Sequence, residues 1–509
     1  MTNINTTSNA SNYPDFIHSG VDPRTGSFST SVSLGRFLSH SGSGPTFDLH
    51  LNFTPGSNLD FGFGSGWTLP TGFYDSSVRA YPRLTLPDGQ NYLVDPNSSS
   101  SGYYSLPYYK LNDIKIFRET NEQELIVVKK NGVRFVYDFK LGYLKRIISV
   151  KGLAISFTFS PTFSSEWALT NVTDNKNREI TIDYQDLNLV KVKHLLSGNL
   201  HQEFHIRKQG GHGDLLLSEV TQHNGGTDIL SFSVNYTHFN STDTHYIESV
   251  TYPSGMTEQI YYEDRHSTPT GYPVDSVPRV SRFERKNLGL EQPDSITDYS
   301  YTINNYLGGN SGFRFIPGKD TLFFLPSDYS YGSTEIINNS KTIIRSYNKY
   351  HLLESVEYLD NDQKYYTEDY EYYADLGKVI EDQTAQYSML KSLTKTHYHN
   401  RESSEYTMEY EYDDYANTLI EKRADGSIVL REYYPSDGEE GACPPDPNGM
   451  ISKVKSETFI PATLGQESRT TTMTYKSLAR LDDYTQFDDN SQYFLVLGTQ
   501  TDSNEQFQI

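Results

Sequence analysis

Between residues 46 and 53 the chain alternates strictly: Phe47, Leu49, Leu51 and Phe53 fall on one side, with polar partners on the other. A period of two marks a half-buried strand. The same reading applies along most of the sequence. RLTLPDGQNYLVDP reads as a hairpin turning at Pro87-Asp88-Gly89, and DFIHSGVDPRTGSFSTSVSLGRF places a turn at Asp22 to Gly26 between two short strands. Gly62, Gly64 and Gly66 alternate with Phe61, Phe63 and Trp67, a density of glycine that marks a bulge or a place where backbones pass closely. No helical pattern follows to give these glycines a phosphate-binding helix end.

One hairpin pattern recurs. YDFKLGYLKRIISVKG predicts a strand over Arg134 to Asp138, a turn at Lys140 to Gly142, and a return over Tyr143 to Val150. Looser copies begin at Tyr184, Tyr347, Tyr412 and Tyr475, each with a strand ending in Tyr, a polar turn, and a return strand. Irregular spacing argues against a strict-period solenoid and for hairpins stacked into one long antiparallel sheet; the alternative is a Tyr-rich β-sandwich. In DYEYYAD and EYTMEYEYDDY, Tyr takes alternate positions with acids between, giving one aromatic and one charged face.

The fold class expected is therefore all-β. Residues 1–12 read as a polar, disordered tail, 13–125 as an amino-terminal β region, and 126–509 as the repeat sheet. The Pro- and Gly-rich stretch near 267–320 reads as a loop-rich excursion, and FRFIPGKDTLFFLP within and beyond it as a hairpin turning at Pro317 to Asp320.

Composition sharpens this picture. In 509 residues there are 41 Tyr and 26 Phe but only 35% hydrophobic residues, so Tyr performs sheet-face duty usually left to aliphatic residues. The formal net charge of -22 argues against a nucleic-acid partner and against anionic lipid. No apolar run reaches the ~20 residues of a membrane-spanning helix, so no membrane insertion by this chain is expected. The amino terminus shows no secretory signal pattern, so the chain is expected to be made in the cytoplasm, and the Asn-x-Ser/Thr matches at Asn97, Asn171 and Asn235 to be unused.

Each candidate for chemistry has a plainer reading. Cys443 is the single cysteine, in a Pro/Gly loop without basic neighbours that would activate it. His201 and His205 lie ~13 Å apart on a strand, too far to share a metal, whereas His397 and His399 at ~7 Å lack a third ligand. Asp360 and Asp362 fall short of a calcium loop because Tyr365 stands where glycine is needed. The acidic pairs Asp413-Asp414 and Asp488-Asp489 are expected by composition in so acidic a chain, although a hydrolase needs two such groups. No nucleophile elbow, P-loop or dinucleotide fingerprint occurs. We assign no catalytic, cofactor-binding or metal residue from the sequence, and no cofactor.

SGVDPRTGSFSTSVSL, FGFGSGWTLP, RLTLPDGQNYLV, YDFKLGYLKRI and REYYPSDGEEGACPPDPNG together resemble the amino-terminal half of bacterial RHS (YD-repeat) proteins, similar to the C component of Tc insecticidal toxin complexes. The resemblance covers roughly residues 13–509. It implies a long β-sheet spiralling into a hollow shell around a toxic cargo, export by a toxin complex or specialised secretion system, and a non-enzymatic role for this segment. It also implies a protein partner that completes the shell. Full-length relatives carry two DPxG segments whose aspartates release the toxin; here Asp446-Pro447-Asn448-Gly449 matches once, in the other half, so that role is not carried onto Asp446. The expected shell is partial, with an open sheet edge. The alternative function is a Tyr-rich binding or adhesion module for carbohydrate or a cell-surface protein.

Overall fold

The computed structural model describes residues 19–77, 81–97, 102–119, 123–162, 167–224, 227–399, 402–463, 465–481, 493–503 and 505–508. The expected tail, residues 1–12, lies outside them. One antiparallel sheet of 27 strands, from Ile114–Glu119 to Glu505–Gln508, dominates the chain. Two small sheets precede it: Ser19–Val21, Phe28–Leu38, Thr46–Phe53 and Trp67–Thr68 in one, and Phe73–Asp75, Arg83–Thr85 and Asn91–Leu93 in the other.

The recurring hairpin has a local cause. Arg134–Asp138 pairs with Leu144–Ile148, and the register slips between Val136 and Tyr137. Asp138 Oδ1 then accepts the Lys140 and Leu141 amides at 2.9 and 2.7 Å. Gly142 closes the turn at φ +80, where any side chain would be strained. The same device returns along the sheet. Register slips precede Tyr347, Tyr372, Tyr412, Tyr433 and Tyr475. The Asn348 side chain accepts the Tyr350 and Leu352 amides, and Asp413 accepts those of Tyr415 and Asn417. The repeat is thus a bulged Tyr at the strand end, in two further copies followed by a side chain that caps the turn. A bulge adds local twist, and twist added at many hairpins coils the sheet.

The coil comes round on itself. In strand order Glu505–Gln508 leads back to Ile114–Glu119, while the registers of the described residues join strands adjacent in the chain. A seam of loop contacts holds the return. Tyr387 Oη donates to the Tyr108 carbonyl at 2.9 Å, and Lys130 Nζ to the Tyr415 carbonyl at 2.6 Å. Lys115 Nζ donates to Asn448 O at 2.6 Å, Arg134 to Asn448 Oδ1 at 3.0 Å, and the Leu481 amide to Lys151 O at 2.8 Å. These contacts join residues 108–151 to residues 387–481, as they must where one turn of a strip seats on the next. The bare edge expected from the sequence is not left open in strand order, and loops of the second turn also bring carbonyls to lysines of the first.

The main core lies between the amino-terminal sheets and the inner face of the first turn, up to Val280. Phe47 packs edge-on against Phe157, and Phe63 lies tilted against Tyr184 and Phe28 against Phe283. A Cβ at Gly64 would stand 2.6 Å from the Leu217 amide nitrogen, so the close backbone passage expected of this glycine run is present.

Two expectations change. Within 267–320 the strands Ser276–Lys286 and Ser295–Tyr301 belong to the main sheet, so the irregular part is narrower than the Pro and Gly content implied. Pro278 is tolerated because the ladder slips beside it, between Asp264 and His266. FRFIPGKDTLFFLP is not a hairpin: Thr321–Phe324 is a short 3-10 helix, capped by Asp320 accepting the Leu322 amide at 3.0 Å. The cap wins because it delivers Leu322 and Phe323 into buried clusters, where neither is exposed.

Candidate functional site

Beyond the amino-terminal filling, the buried apolar clusters among the described residues are smaller than the main core. Registers trace the sheet strand by strand. Tyr299 opposes Glu335, which opposes Ile343, then Tyr358, Tyr366 and His397. Beside this row run Arg345, Val356, Glu368, Lys395 and Tyr406. Sequence alternation causes the pattern: Tyr366, Glu368 and Tyr370 are half-buried while Asp369 and Glu371 are exposed, and Tyr406, Met408, Tyr410 and Tyr412 are half-buried while Glu405, Glu409 and Glu411 are exposed. The acidic excess sits outside.

The first of these rows is a ladder of rings that ends on the exposed His397 side. Tyr358 and Tyr366 centroids are 5.3 Å apart, Tyr366 and His397 4.7 Å, and His397 and Tyr406 5.9 Å with planes 26° apart. Offset stacking of this kind adds to the ordinary burial of the rings. Charges on this face are paired. Arg345 reaches Glu335 at 2.5 Å, Lys395 reaches Glu368 at 3.2 Å, and Arg431 reaches Glu457 at 2.8 Å and Glu421 at 3.4 Å. Arg423 lies over the Phe459 ring at 5.9 Å. Burial pushes the Glu368 carboxyl up, but hydrogen bonds from Tyr366, Tyr370 and Lys395 outweigh it and hold the group below the usual range. The Tyr366 hydroxyl is pushed up to about 12, by burial first and then by its bond to Glu368. This face therefore offers ring faces and paired charges.

The residues singled out from the sequence are scattered. His205 bonds Glu203 at 2.9 Å and stacks on His223, while His201 is exposed. His397 belongs to the ring ladder, and His399 lies at the end of the same strand. Asn361 and Asp362, at φ 47 and 64, form the two-residue turn after Asp360. The Asp413 carboxylate caps its turn and also accepts from the Asn417 amide group at 2.8 Å. Asp488-Asp489 lie outside the described residues. Cys443 is buried, and burial pushes its thiol up, away from reactivity. Asp446 accepts the Asn448 and Met450 amides at 2.9 and 3.1 Å, so the DPNG segment serves the seam. Among the described residues no group of three or more His, Cys, Asp or Glu could hold a metal ion, and no helix is long and apolar enough to cross a membrane.

Two clusters went unnoticed in the sequence. Tyr331, His351 and Asp320 form a buried relay, with Tyr331 Oη 2.8 Å from His351 Nδ1 and His351 Nε2 2.9 Å from Asp320 Oδ2. His212, His238 and His245 gather at two hairpin ends, with ring centroids 4.6 to 5.9 Å apart. Neither has a spacing signature, since the strands that unite them are set by the sheet register.

No family model and no curated protein matches the chain. Solved structures with some similarity include a porin-like protein from Bacteroides uniformis, at 10% identity and TM-score 0.22, covering 42% of this chain and 95% of that one. TcdB2-TccC3 without its hypervariable C-terminal region matches at 9% identity and TM-score 0.17, over 94% of this chain but 30% of that one. The N-terminal domain of the effector SpvB from Salmonella typhimurium matches at 11% identity and TM-score 0.16, covering 75% and 99%. The chain thus spans under a third of the TcdB2-TccC3 chain. At these TM-scores none of the three carries an argument about the chain.

Proposed function

We propose that this chain is a wall segment of an RHS-type toxin shell, a non-enzymatic structure that encloses or carries a toxic cargo with a protein partner completing the enclosure. The observation that carries the reading is the coil with its seam: one sheet of 27 strands turns until the loops around Tyr387, Tyr415, Asn448 and Leu481 seat on Tyr108 to Lys151. A sheet coiled this way bounds a space. The inner face past the amino-terminal filling supports the same reading, because half-buried tyrosines and paired charges leave a lining that neither repels nor tightly grips a polypeptide. Export by a toxin complex or specialised secretion system belongs to the same proposal.

Small-angle scattering of the purified chain tests the wall. A filled globule of this length has a radius of gyration of about 23 Å. A wall around a cavity gives a clearly larger value and a pair-distance distribution weighted to long vectors. A value at the globular figure, with a solid particle in negative stain, would sink the shell. Affinity capture from the source lysate then asks for the partner, and a cargo-bearing chain of the same locus is the expected prey.

A further inference from the structure

We propose that copies of this chain associate head to tail, the apolar knuckle at residues 313–317 of one copy seating in the acidic hollow at residues 437–445 of the next. From Thr302 to Lys319 the sequence holds no carboxylate, in a chain whose net charge is -22. Phe313 is 41% exposed and Ile316 47%, with Arg314 and Pro317 exposed beside them. Arg314 has no ion-pair partner among the described residues. The knuckle is also held in shape. The Phe315 amide donates to the Thr270 carbonyl at 3.0 Å, the Phe315 ring packs edge-on against Tyr272 at 4.8 Å, and the Lys319 amide donates to the Ile316 carbonyl at 3.0 Å. A loop fixed before contact loses little freedom on docking. Exposed apolar side chains around an unpaired guanidinium call for a surface that is both apolar and negative.

The chain itself carries such a surface. A hollow of about 580 Å³ lies between the loop after Ile428–Tyr433 and the strand Arg469–Ala479. Ala442, Pro444, Pro445 and Tyr475 give it apolar walls, and Asp437, Glu439 and Glu440 line it as well. Its charges count together with their partners. Lys455 holds Glu439 at 2.6 Å, and Lys476 lines the hollow. Lys453 and Asp446, which act on the Cys443 thiol with opposite signs, cancel. One negative charge is left over, and Asp437 and Glu440 have no ion-pair partner among the described residues. A guanidinium takes a carboxylate through two parallel N–H bonds, so Arg314 balances that charge while Phe313 and Ile316 cover the prolines and Tyr475.

Within one copy the two loops are kept apart. The strands they follow, Ser295–Tyr301 and Ile428–Tyr433, are eight places apart in the sheet, about 38 Å along it at the usual strand spacing. Knuckle against knuckle would oppose two guanidiniums. The contact is therefore heterologous, and each assembly keeps one free knuckle and one free hollow. A contact this small belongs to the weak, transient class. The inference does not rest on the shell reading: scattering extrapolated to zero concentration reports the wall, and a concentration series reports the contact.

The test is sedimentation velocity of the full chain from about 1 to about 200 µM. The weight-average sedimentation coefficient is expected to rise with concentration, and to rise less in about 1 M salt, where charges are screened. Phe313→Ser and Glu440→Lys should each weaken association at least about tenfold. Mixing the two variants is the decisive arm. One keeps its hollow and the other its knuckle, so a one-to-one complex should return, and its return shows that neither variant has merely unfolded. Tyr261→Ala removes a side chain 43% exposed elsewhere and is expected to change nothing. A parent chain that stays monomeric over the whole range overturns the proposal. So does association that survives either substitution, or a pair of variants that fails to complement.

Discussion

His351 Nε2 lies 2.9 Å from Asp320 Oδ2, across 31 residues of chain, with both side chains buried. The pair ties the irregular stretch after Tyr301 to the strands Ser330–Ile337 and Lys341–Asn348, because Tyr331 completes the relay and Asp320 also caps the 3-10 turn. Asp320→Ala removes the cap and strands a buried imidazole. The expected cost is about 3 kcal/mol, felt locally. Hydrogen exchange should quicken in both strands, while the amides of Arg469–Ala479 keep their protection. Uniform exchange in variant and parent would show that the relay holds nothing.

Trp67 Nε1 donates to Tyr236 Oη at 2.7 Å, and Tyr236 passes its own proton to the Leu217 carbonyl at 2.7 Å. This pins the amino-terminal sheets to the first turn of the coil. Tyr236→Phe keeps the ring but leaves an indole N–H and a carbonyl without their partner, at a cost of about 1–3 kcal/mol. The chain has two tryptophans, so Trp167→Phe isolates the signal of Trp67. In that background Tyr236→Phe should lower the temperature at which Trp67 emission shifts to the red. An unchanged transition would remove this bond from the anchorage.

The all-β class and the hairpins were legible because their causes are local. Asp138, Gly142 and the alternation around Leu144 lie within a dozen residues of one another, and turn chemistry is read over that range. The seam was illegible for the opposite reason: Tyr108 and Tyr387 are 279 positions apart, and nothing in either segment names the other. The aromatic-and-acid alternation in Tyr366 to Tyr372 was visible, yet which face turns inward depends on the coil. Pro278 and the Pro317 region misled for a physical reason. A ladder slip tolerates the first, and an Asp cap with two buried apolar side chains redirects the chain after the second.

Gly64 and Gly89 separate two costs. Both have positive φ, +103 and +85, but a Cβ at Gly64 would meet the Leu217 and Leu216 backbone whereas nothing lies within 4 Å at Gly89. Gly89→Ala should therefore cost about 1–2 kcal/mol of backbone strain alone. Gly64→Ala adds a collision with backbone that cannot yield, and should part the amino-terminal sheets from the coil. Protease nicking within residues 19–111 is the readout: rapid for Gly64→Ala, near parental for Gly89→Ala. Equal behaviour would mean that the close passage at Gly64 contributes nothing beyond its φ.

His266 gives the fold a pH dependence whose sign can be worked out. The ring packs edge-on against Tyr301 and Tyr306 at 5.1 and 5.6 Å. Burial first, and then the positive charge of Arg279, lower its pKa from 6.5 to about 3, against a smaller opposing effect of the Thr25 backbone. Between these limits the unfolded chain binds a proton that the folded chain refuses. Stability is therefore fully present above the unfolded value and is lost as pH falls through 6.5 towards 3, by about 1.4 kcal/mol per pH unit for this one group. His194 and His245 are also lowered by burial, so they add loss of the same sign. His266→Phe keeps a ring against both tyrosines and removes the titration. Its melting temperature should fall less steeply than the parent's between pH 7 and pH 4, with the two chains closest at the neutral end. Parallel curves would place the acid sensitivity elsewhere and leave His266 a packing residue only.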